Sequence, residues 1–252
     1  MNIGYKNLFC WFDLHTPDKN LSRFFYESLL AWTFEDHKVG EEAAYTGLSS
    51  GGRGFGSVEP LPREDSAQWI GYVGVEAFAA SHESIMKLGG TCILEGVNIE
   101  ALGTIGIYGD PCGGVFAILE PMEKNNLAWL PKRGGAGDLD WAELNIANAS
   151  SALDFYAGVF GWEFSSETPE ALGDYHFIMR QGAPVGGIRK VEPDAQAQGW
   201  SFYANVSDFE ASLKSASGLR GEVLIEREVE GVVRFALMSD PQGARIGIAR
   251  GV

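Results

Sequence analysis

The chain contains its own pattern twice, and that repetition limits the fold more than any single motif does. The stretch from Trp11, WFDLHTPDKNLSRFFYESLLAWTF, aligns without a gap to the stretch from Trp141, WAELNIANASSALDFYAGVFGWEF. Trp11 meets Trp141, Asp13 meets Glu143, Leu14 meets Leu144 and Phe25-Tyr26 meets Phe155-Tyr156, all 130 positions apart. Trp32 with Trp162 and Phe34 with Phe164 keep the same spacing. Farther on, WIGYVGV from Trp69 matches WSFYANV from Trp200 at 131 positions, and Asp110-Pro-Cys-Gly113 matches Asp240-Pro-Gln-Gly243 at 130 again. Order and spacing kept over the whole length mark a duplication. The expected domains are 1-121 and 138-252, joined by a linker over 122-137 rich in Pro, Gly, Asn and Lys. Within that linker Trp129 and Leu130 are expected to dock onto a domain.

Each copy reads as the same short order of elements, run twice. Phe9 to His15 alternates in strand fashion, and Thr16-Pro17-Asp18 supplies a turn with a capping side chain. From Leu21 to Leu30, residues Leu21, Phe24, Phe25, Ser28 and Leu29 follow helical spacing with one apolar stripe. Short strands over Trp32–Asp36, Ala43–Leu48 and Phe55–Val58 follow, separated by Gly-rich turns. The order then restarts: strand Ile70–Val75, helix Ala77–Leu88 ending at Gly89-Gly90, and strands Thr91–Val97, Leu102–Tyr108 and Val115–Leu119. The glycine-rich run Gly47–Gly56 lacks a GK[ST] ending and a strand-to-helix context, so a hairpin is expected there, not a phosphate loop. Four βαβββ units result. Helices cover one face of each sheet, and the other face must curve into a cup lined by inward-pointing side chains.

A strand, a PD-type turn, a helix ending in FY, a short GW strand and a later DPxG turn together resemble the vicinal oxygen chelate superfamily (glyoxalase, bleomycin resistance protein, extradiol dioxygenase). FYESLLAW, FYAGVFGW, GDPCGG and SDPQGA carry the resemblance, which spans nearly all the chain as two tandem domains. It implies an α+β fold of tandem duplicated vicinal-oxygen-chelate domains, four βαβββ units forming two curved mixed-sheet cups. It does not imply one reaction, because the superfamily hosts lyases, dioxygenases, epimerases and non-catalytic drug-binding proteins. In metal-using members the first-strand ligand sits about fifteen residues before the Tyr of FY, at Trp11 and Trp141 here. The later strand ligand would fall near Ile70 and Ser201, and the carboxylate after DPxG at Ala117 and Gly247. Indole, alkyl and backbone groups do not supply the imidazole and carboxylate donors that Fe, Mn, Ni or Zn use, and Ser201 is a weak donor alone. His15, His37, His82 and His176 lie on separate elements, with no HxH or HxxxH. No metal and no other cofactor is therefore expected.

Bulk properties narrow the partners. With 45% hydrophobic and 21% charged residues over 252 positions, the chain is globular and long enough for two cores. Its net charge of −15 repels phosphate backbones and anionic bilayers, so neither nucleic acid nor membrane is an expected partner. No run is apolar enough for a spanning helix, and Met1 to Phe9 holds no signal-peptide h-region. Three cysteines, Cys10, Cys92 and Cys112, without a CxxC, fit a reducing cytoplasm. Cys112, in its Asp-Pro-Cys-Gly turn, has no evident base beside it and reads as a turn residue. Because the pseudo-dimer is already internal, a monomer or a weak homodimer is expected.

Strand alternation selects the residues that face the cups. In the first copy these are Trp11, Asp13 and His15, with Tyr72 from the second unit. In the second they are Trp141, Glu143 and Asn145, with Tyr203 and Asn205, and Arg245 on the last strand. Arg53, His176 and Arg180 lie on middle strands whose register the sequence leaves open. Such walls suit a small polar or aromatic organic molecule: rings stack while the carboxylate orients a donor or cation. The tryptophans equally fit the role of plugs in a space left by an ancestral metal, and Asp13 or Glu143 that of partners to a nearby Arg. Three functions follow. One is a small-molecule binding protein acting by sequestration or sensing. The second is an enzyme of the lyase, isomerase or dioxygenase type, either metal-free with Asp13, His15 or Glu143 as base or using a metal site that the spacing does not reveal. The third is a partner-binding module.

Overall fold

The computed structural model describes residues 5–39, 43–100, 102–122, 134–165, 167, 169–193, 195 and 198–251. Among them sixteen strands and four α-helices run in the expected order. In the first copy these are β1 (Phe9–Thr16), α1 (Lys19–Leu30), β2 (Thr33–Val39), β3 (Ala43–Ser50), β4 (Arg53–Pro60), β5 (Gln68–Gly74), α2 (Phe78–Lys87), β6 (Thr91–Ile99), β7 (Gly103–Gly109) and β8 (Val115–Pro121). The second copy repeats them as β9 (Leu139–Ile146), α3 (Ala149–Phe160), β10 (Glu163–Ser165), β11 (Tyr175–Arg180), β12 (Ala183–Lys190), β13 (Gly199–Asn205), α4 (Phe209–Gly218), β14 (Glu222–Val229), β15 (Val233–Ser239) and β16 (Arg245–Gly251). A 3-10 turn, Glu170–Leu172, sits between β10 and β11.

Two eight-stranded mixed sheets result, ordered β2-β3-β4-β1-β5-β8-β7-β6 and β10-β11-β12-β9-β13-β16-β15-β14. The repeat predicts the match, strand for strand. In both, the first strand of a unit pairs in parallel with its last, β1 with β4 and β9 with β12, and the middle strands are antiparallel. The order demanded by the sequence is therefore met by two mixed sheets in the α+β class.

Compactness groups the modules across the copies. One unit comprises Met1–Trp11, Gly71–Ala128 and Ala142–Trp200, so it holds the second module of the first copy and the first module of the second. In it α2 packs on α3. The other comprises Phe12–Ile70, Trp129–Trp141 and Ser201–Val252, with α1 packed on α4.

Local chemistry explains the helix ends. Asp18 caps α1, its carboxylate accepting from Asn20 N and Leu21 N, and Asn148 caps α3 by accepting from Ser151 N. Gly161 closes α3 in the left-handed region, which glycine enters without the Cβ penalty. The buried stripe of α1 is Ser22, Phe25, Tyr26, Leu29 and Leu30. This corrects the sequence-derived stripe: Phe25 and Leu29 belong to it, but Phe24 is 62% exposed, and Leu21 and Ser28 also face outward. A one-residue shift rotates a helix by about 100°, and the stripe that wins is the one carrying the Tyr26 hydroxyl to its partners.

Those partners form the centre of each unit's core. Tyr26 stacks on Trp32 at 5.4 Å, meets Trp69 edge-on at 5.4 Å, and donates its hydroxyl to Asp240 Oδ2 at 3.2 Å. In the other unit Tyr156 stacks on Trp162 at 5.1 Å, meets Trp200 edge-on at 5.4 Å and donates to Asp110 Oδ2 at 2.7 Å. The indoles of Trp69 and Trp200 donate to the same two hydroxyls. Trp32 Nε1 donates to the Gly137 carbonyl, and Trp162 Nε1 to the Asn7 carbonyl, again 130 positions apart. Trp32, Trp162, Phe25 and Phe155 are thus core residues, as their spacing implies. The docking expected of Trp129 and Leu130 lies outside the described residues; the linker's described end contributes Gly137.

Candidate functional site

Alternation on β1 and β9 separates an apolar face from a polar one. Phe12, Leu14, Ala142, Leu144 and Ile146 are buried in the core. On the opposite face of β1, Asp13 is 4% exposed and its Oδ1 accepts from Ser57 Oγ at 2.6 Å and Ser57 N at 3.1 Å. Register puts Ser57 beside Asp13 and Glu59 beside His15. Half-buried His15 is held below the ordinary imidazole range by burial, against an opposing pull from Asp13. Glu59, exposed overall, is pushed up by partial burial of its carboxyl and by the nearby Asp13. The face is acidic, with a neutral imidazole at its edge.

That imidazole has a measurable consequence. A depressed folded pKa means that His15 contributes stability above its ordinary value near 6.5, and that this contribution is lost as pH falls through the depressed value. His15→Gln is therefore expected to melt closer to wild type at pH 5 than at pH 7.5. An equal difference from wild type at both pH values would refute the assignment.

The matching face of the second copy is balanced instead. Glu143 is 4% exposed and Arg189 8% exposed. Arg189 Nε and Nη2 donate to Glu143 Oε1 and Oε2 at 3.4 and 3.3 Å, and Nη1 donates to the Leu172 carbonyl at 3.0 Å. Arg189 lies over the Tyr175 ring at 4.9 Å. Tyr175 reaches across β12 above Gly187, where any Cβ would sit 2.1 Å from its hydroxyl. Register aligns Tyr175, Arg189 and Asn145 in one row across three strands, with Phe177, Gly187 and Glu143 in the next. Asn145 is fully buried, and neither Nδ2 nor Oδ1 has a partner among the described residues.

The remaining expected residues sit as follows. Trp11 and Trp141 are half-buried on β1 and β9. Tyr72 is buried on β5, paired in register with Ala117, and its carbonyl accepts from the Cys10 thiol. Tyr203 is buried on β13 and its ring covers Gly247, where a Cβ would lie 2.0 Å from Cδ1. Half-buried Arg245 is lowered by burial, with Tyr203 opposing. Fully buried Ser201 has no partner for Oγ among the described residues. Of the residues left open in register, Arg53 borders a small recess with Ser50, Gly54, Phe55, Gly137, Asp138 and Leu139. His176 points away from the Tyr175 row and lies 3.2 Å from Asp174, and Arg180 ends β11. Among the described residues no group of three or more His, Cys, Asp or Glu is arranged to hold a metal ion.

The structure therefore brings Asp13 and His15 together with Ser57 and Glu59, and Glu143 and Asn145 together with Arg189 and Tyr175. Sequence reasoning singled out neither Arg189 nor Ser57. The signal was present: strand alternation from Gly187 places Arg189 on the same face, and its counterpart 130 positions earlier is Glu59.

Comparison with known proteins agrees with this architecture. The model of the Glyoxalase/Bleomycin resistance protein/Dioxygenase superfamily matches residues 138–248. "Putative glyoxylase CFP32" of Mycobacterium tuberculosis (strain CDC 1551 / Oshkosh) is 27% identical over 246 residues, covering 95% of this chain and 93% of that protein. "Anthracycline biosynthesis protein DnrV" of Streptomyces peucetius is 26% identical over 254 residues, covering 94% and 91%. The crystal structure of the Mn(II)-bound glyoxalase from Novosphingobium aromaticivorans superposes with a TM-score of 0.63 at 15% identity, covering 97% of this chain and 82% of that one. The second copy thus matches the model of the Glyoxalase/Bleomycin resistance protein/Dioxygenase superfamily, and the first copy repeats the same elements in the same order.

Proposed function

We propose that this protein is a glyoxalase/bleomycin-resistance-like protein that binds a small polar or aromatic organic molecule on the polar faces of its sheets. One observation carries the reading. Each copy presents, at equivalent positions, a buried carboxylate held in place by its neighbours, Asp13 by Ser57 and Glu143 by Arg189. Burying polar groups costs free energy, and ligand sites set a small number of placed polar groups among apolar and aromatic walls. The name of the Streptomyces relative, which connects it to anthracycline biosynthesis, is consistent with a flat aromatic ligand.

The metal used by some relatives does not fit the donors present. The positions that resemble theirs hold Trp11, Trp141, Ile70, Ser201, Ala117 and Gly247. The space a carboxylate would need at Gly247 is taken by the Tyr203 ring.

Titration with an anthracycline, aromatic acids, aromatic amides and amines, followed by tryptophan fluorescence and calorimetry, is expected to give saturable binding for at least one class. Silence across the whole panel would sink the reading, and stoichiometric Fe, Mn, Ni or Zn in unsupplemented protein would overturn its metal-free part. A second reading, an enzyme of the lyase or isomerase type, draws on Asp13, whose buried carboxylate has the His15 imidazole two residues along on the same face. On that reading Asp13→Asn abolishes turnover while leaving ligand affinity within a few-fold of wild type.

A further inference from the structure

We propose that the polar face of β9, β11 and β12 is a subsite for an uncharged group of the carboxamide or lactam type, recognised by the Asn145 amide. This rests on the small-molecule reading above and names the chemistry that one of its faces selects. Asn145 is fully buried with both ends of its amide unbonded among the described residues. Buried side-chain amides are nearly always satisfied, and this one offers donor and acceptor side by side. A ligand with acceptor and donor adjacent, as in a carboxamide, completes both bonds at once.

The surroundings exclude a charged alternative. Glu143 and Arg189 pair with each other on the same face, so the pair presents no net charge to an incoming ion. A charged ligand would lose its hydration without a surplus counter-charge to replace it. Tyr175 and Phe177, 5.3 Å apart at their centroids, supply aromatic surface in the same rows. The first copy shows what was exchanged. Where the second has Asn145, Gly187 and Arg189, the first has His15, Ser57 and Glu59, which with Asp13 make an acidic face. The two faces have diverged in charge since the duplication, and an amine suits the first as an amide suits the second.

The test compares the wild-type full chain with Asn145→Leu, a near-isosteric apolar replacement, using benzamide, benzoate and benzylamine as probes. Benzamide is expected to shift the Asn145 side-chain amide resonance and to lose at least tenfold in affinity in Asn145→Leu. Benzoate and benzylamine are expected to leave that resonance in place. Without ligand, Asn145→Leu is expected to melt a few degrees higher, because it removes an unsatisfied buried amide. A lower melting temperature with no benzamide effect would mean that the amide serves the fold through a structural water only, overturning the proposal. Equal benzamide affinity in the two proteins, or no benzamide binding by wild type, overturns it as well. Binding of other members of the broader panel in that case would leave the small-molecule reading standing, so the two failures are distinguishable.

Discussion

Arg189→Met is expected to destabilise the protein by about 3–5 kcal/mol, the largest effect of any single polar substitution on the sheet faces. The guanidinium is 8% exposed and faces a carboxylate that is 4% exposed, so removing it strands Glu143 away from water without its cationic partner. The same change removes the bond to the Leu172 carbonyl and the contact with the Tyr175 ring. Urea or thermal denaturation measures it, and for a chain of this size the loss corresponds to a melting temperature lower by about 10 °C. The double variant Glu143→Leu/Arg189→Met is expected to recover most of the loss, since a buried ion pair replaced by apolar residues of similar volume is often close to neutral. A cost below about 1 kcal/mol for Arg189→Met would place the pair in effectively aqueous surroundings and remove the basis for the charge-balanced face.

Tyr156→Phe is expected to cost about 2–4 kcal/mol, measured the same way, for the loss of one oxygen atom. That oxygen donates to Asp110 Oδ2 at 2.7 Å and accepts from Trp200 Nε1 at 2.8 Å. Its removal leaves a carboxylate oxygen and an indole N–H buried together. Asp110 Oδ1 accepts from Cys112 N and Gly114 N, so the same carboxylate also shapes the turn before β8. Burial first, then Asp110, pushes the Tyr156 hydroxyl well above its ordinary range, and Tyr26 is raised in the same way by burial and Asp240. A raised folded pKa means that this contribution is complete below pH 10 and is lost only above it, so the cost should not vary between pH 6 and 8. Tyr26→Phe is expected to cost less, because its bond to Asp240 is longer at 3.2 Å. A reversed order of the two variants would contradict the geometry.

Much of the architecture was legible in the sequence because duplication offers two independent readings of every element. Strand and helix boundaries inferred from the first copy lie within two or three residues of those observed. The α1 stripe was misplaced by one position because Phe24 and Phe25 are equally apolar in isolation, and only packing separates the 62% exposed ring from the fully buried one. Of the site, alternation sufficed to put Asp13, Glu143 and Asn145 on polar faces. It could not reveal that Arg189 neutralises Glu143, since that contact joins strands 46 residues apart, nor that the Asn145 amide lacks a partner, which depends on everything around it.

The amino-acid sequence by itself determined that the chain is a duplication, that each copy runs βαβββ twice, and that FY and DPxG recur in both halves. Partner choice was left to the tertiary structure. Tyr26 had two identical candidates, Asp110 in its own copy and Asp240 in the other, and Tyr156 had the same two. The fold joins Tyr26 to Asp240 and Tyr156 to Asp110, across the copies. The physical reason is that repeated motifs carry equal local preference for either partner. Only the pairing of modules, set by which helix faces bury against each other as α1 on α4 and α2 on α3, breaks the tie.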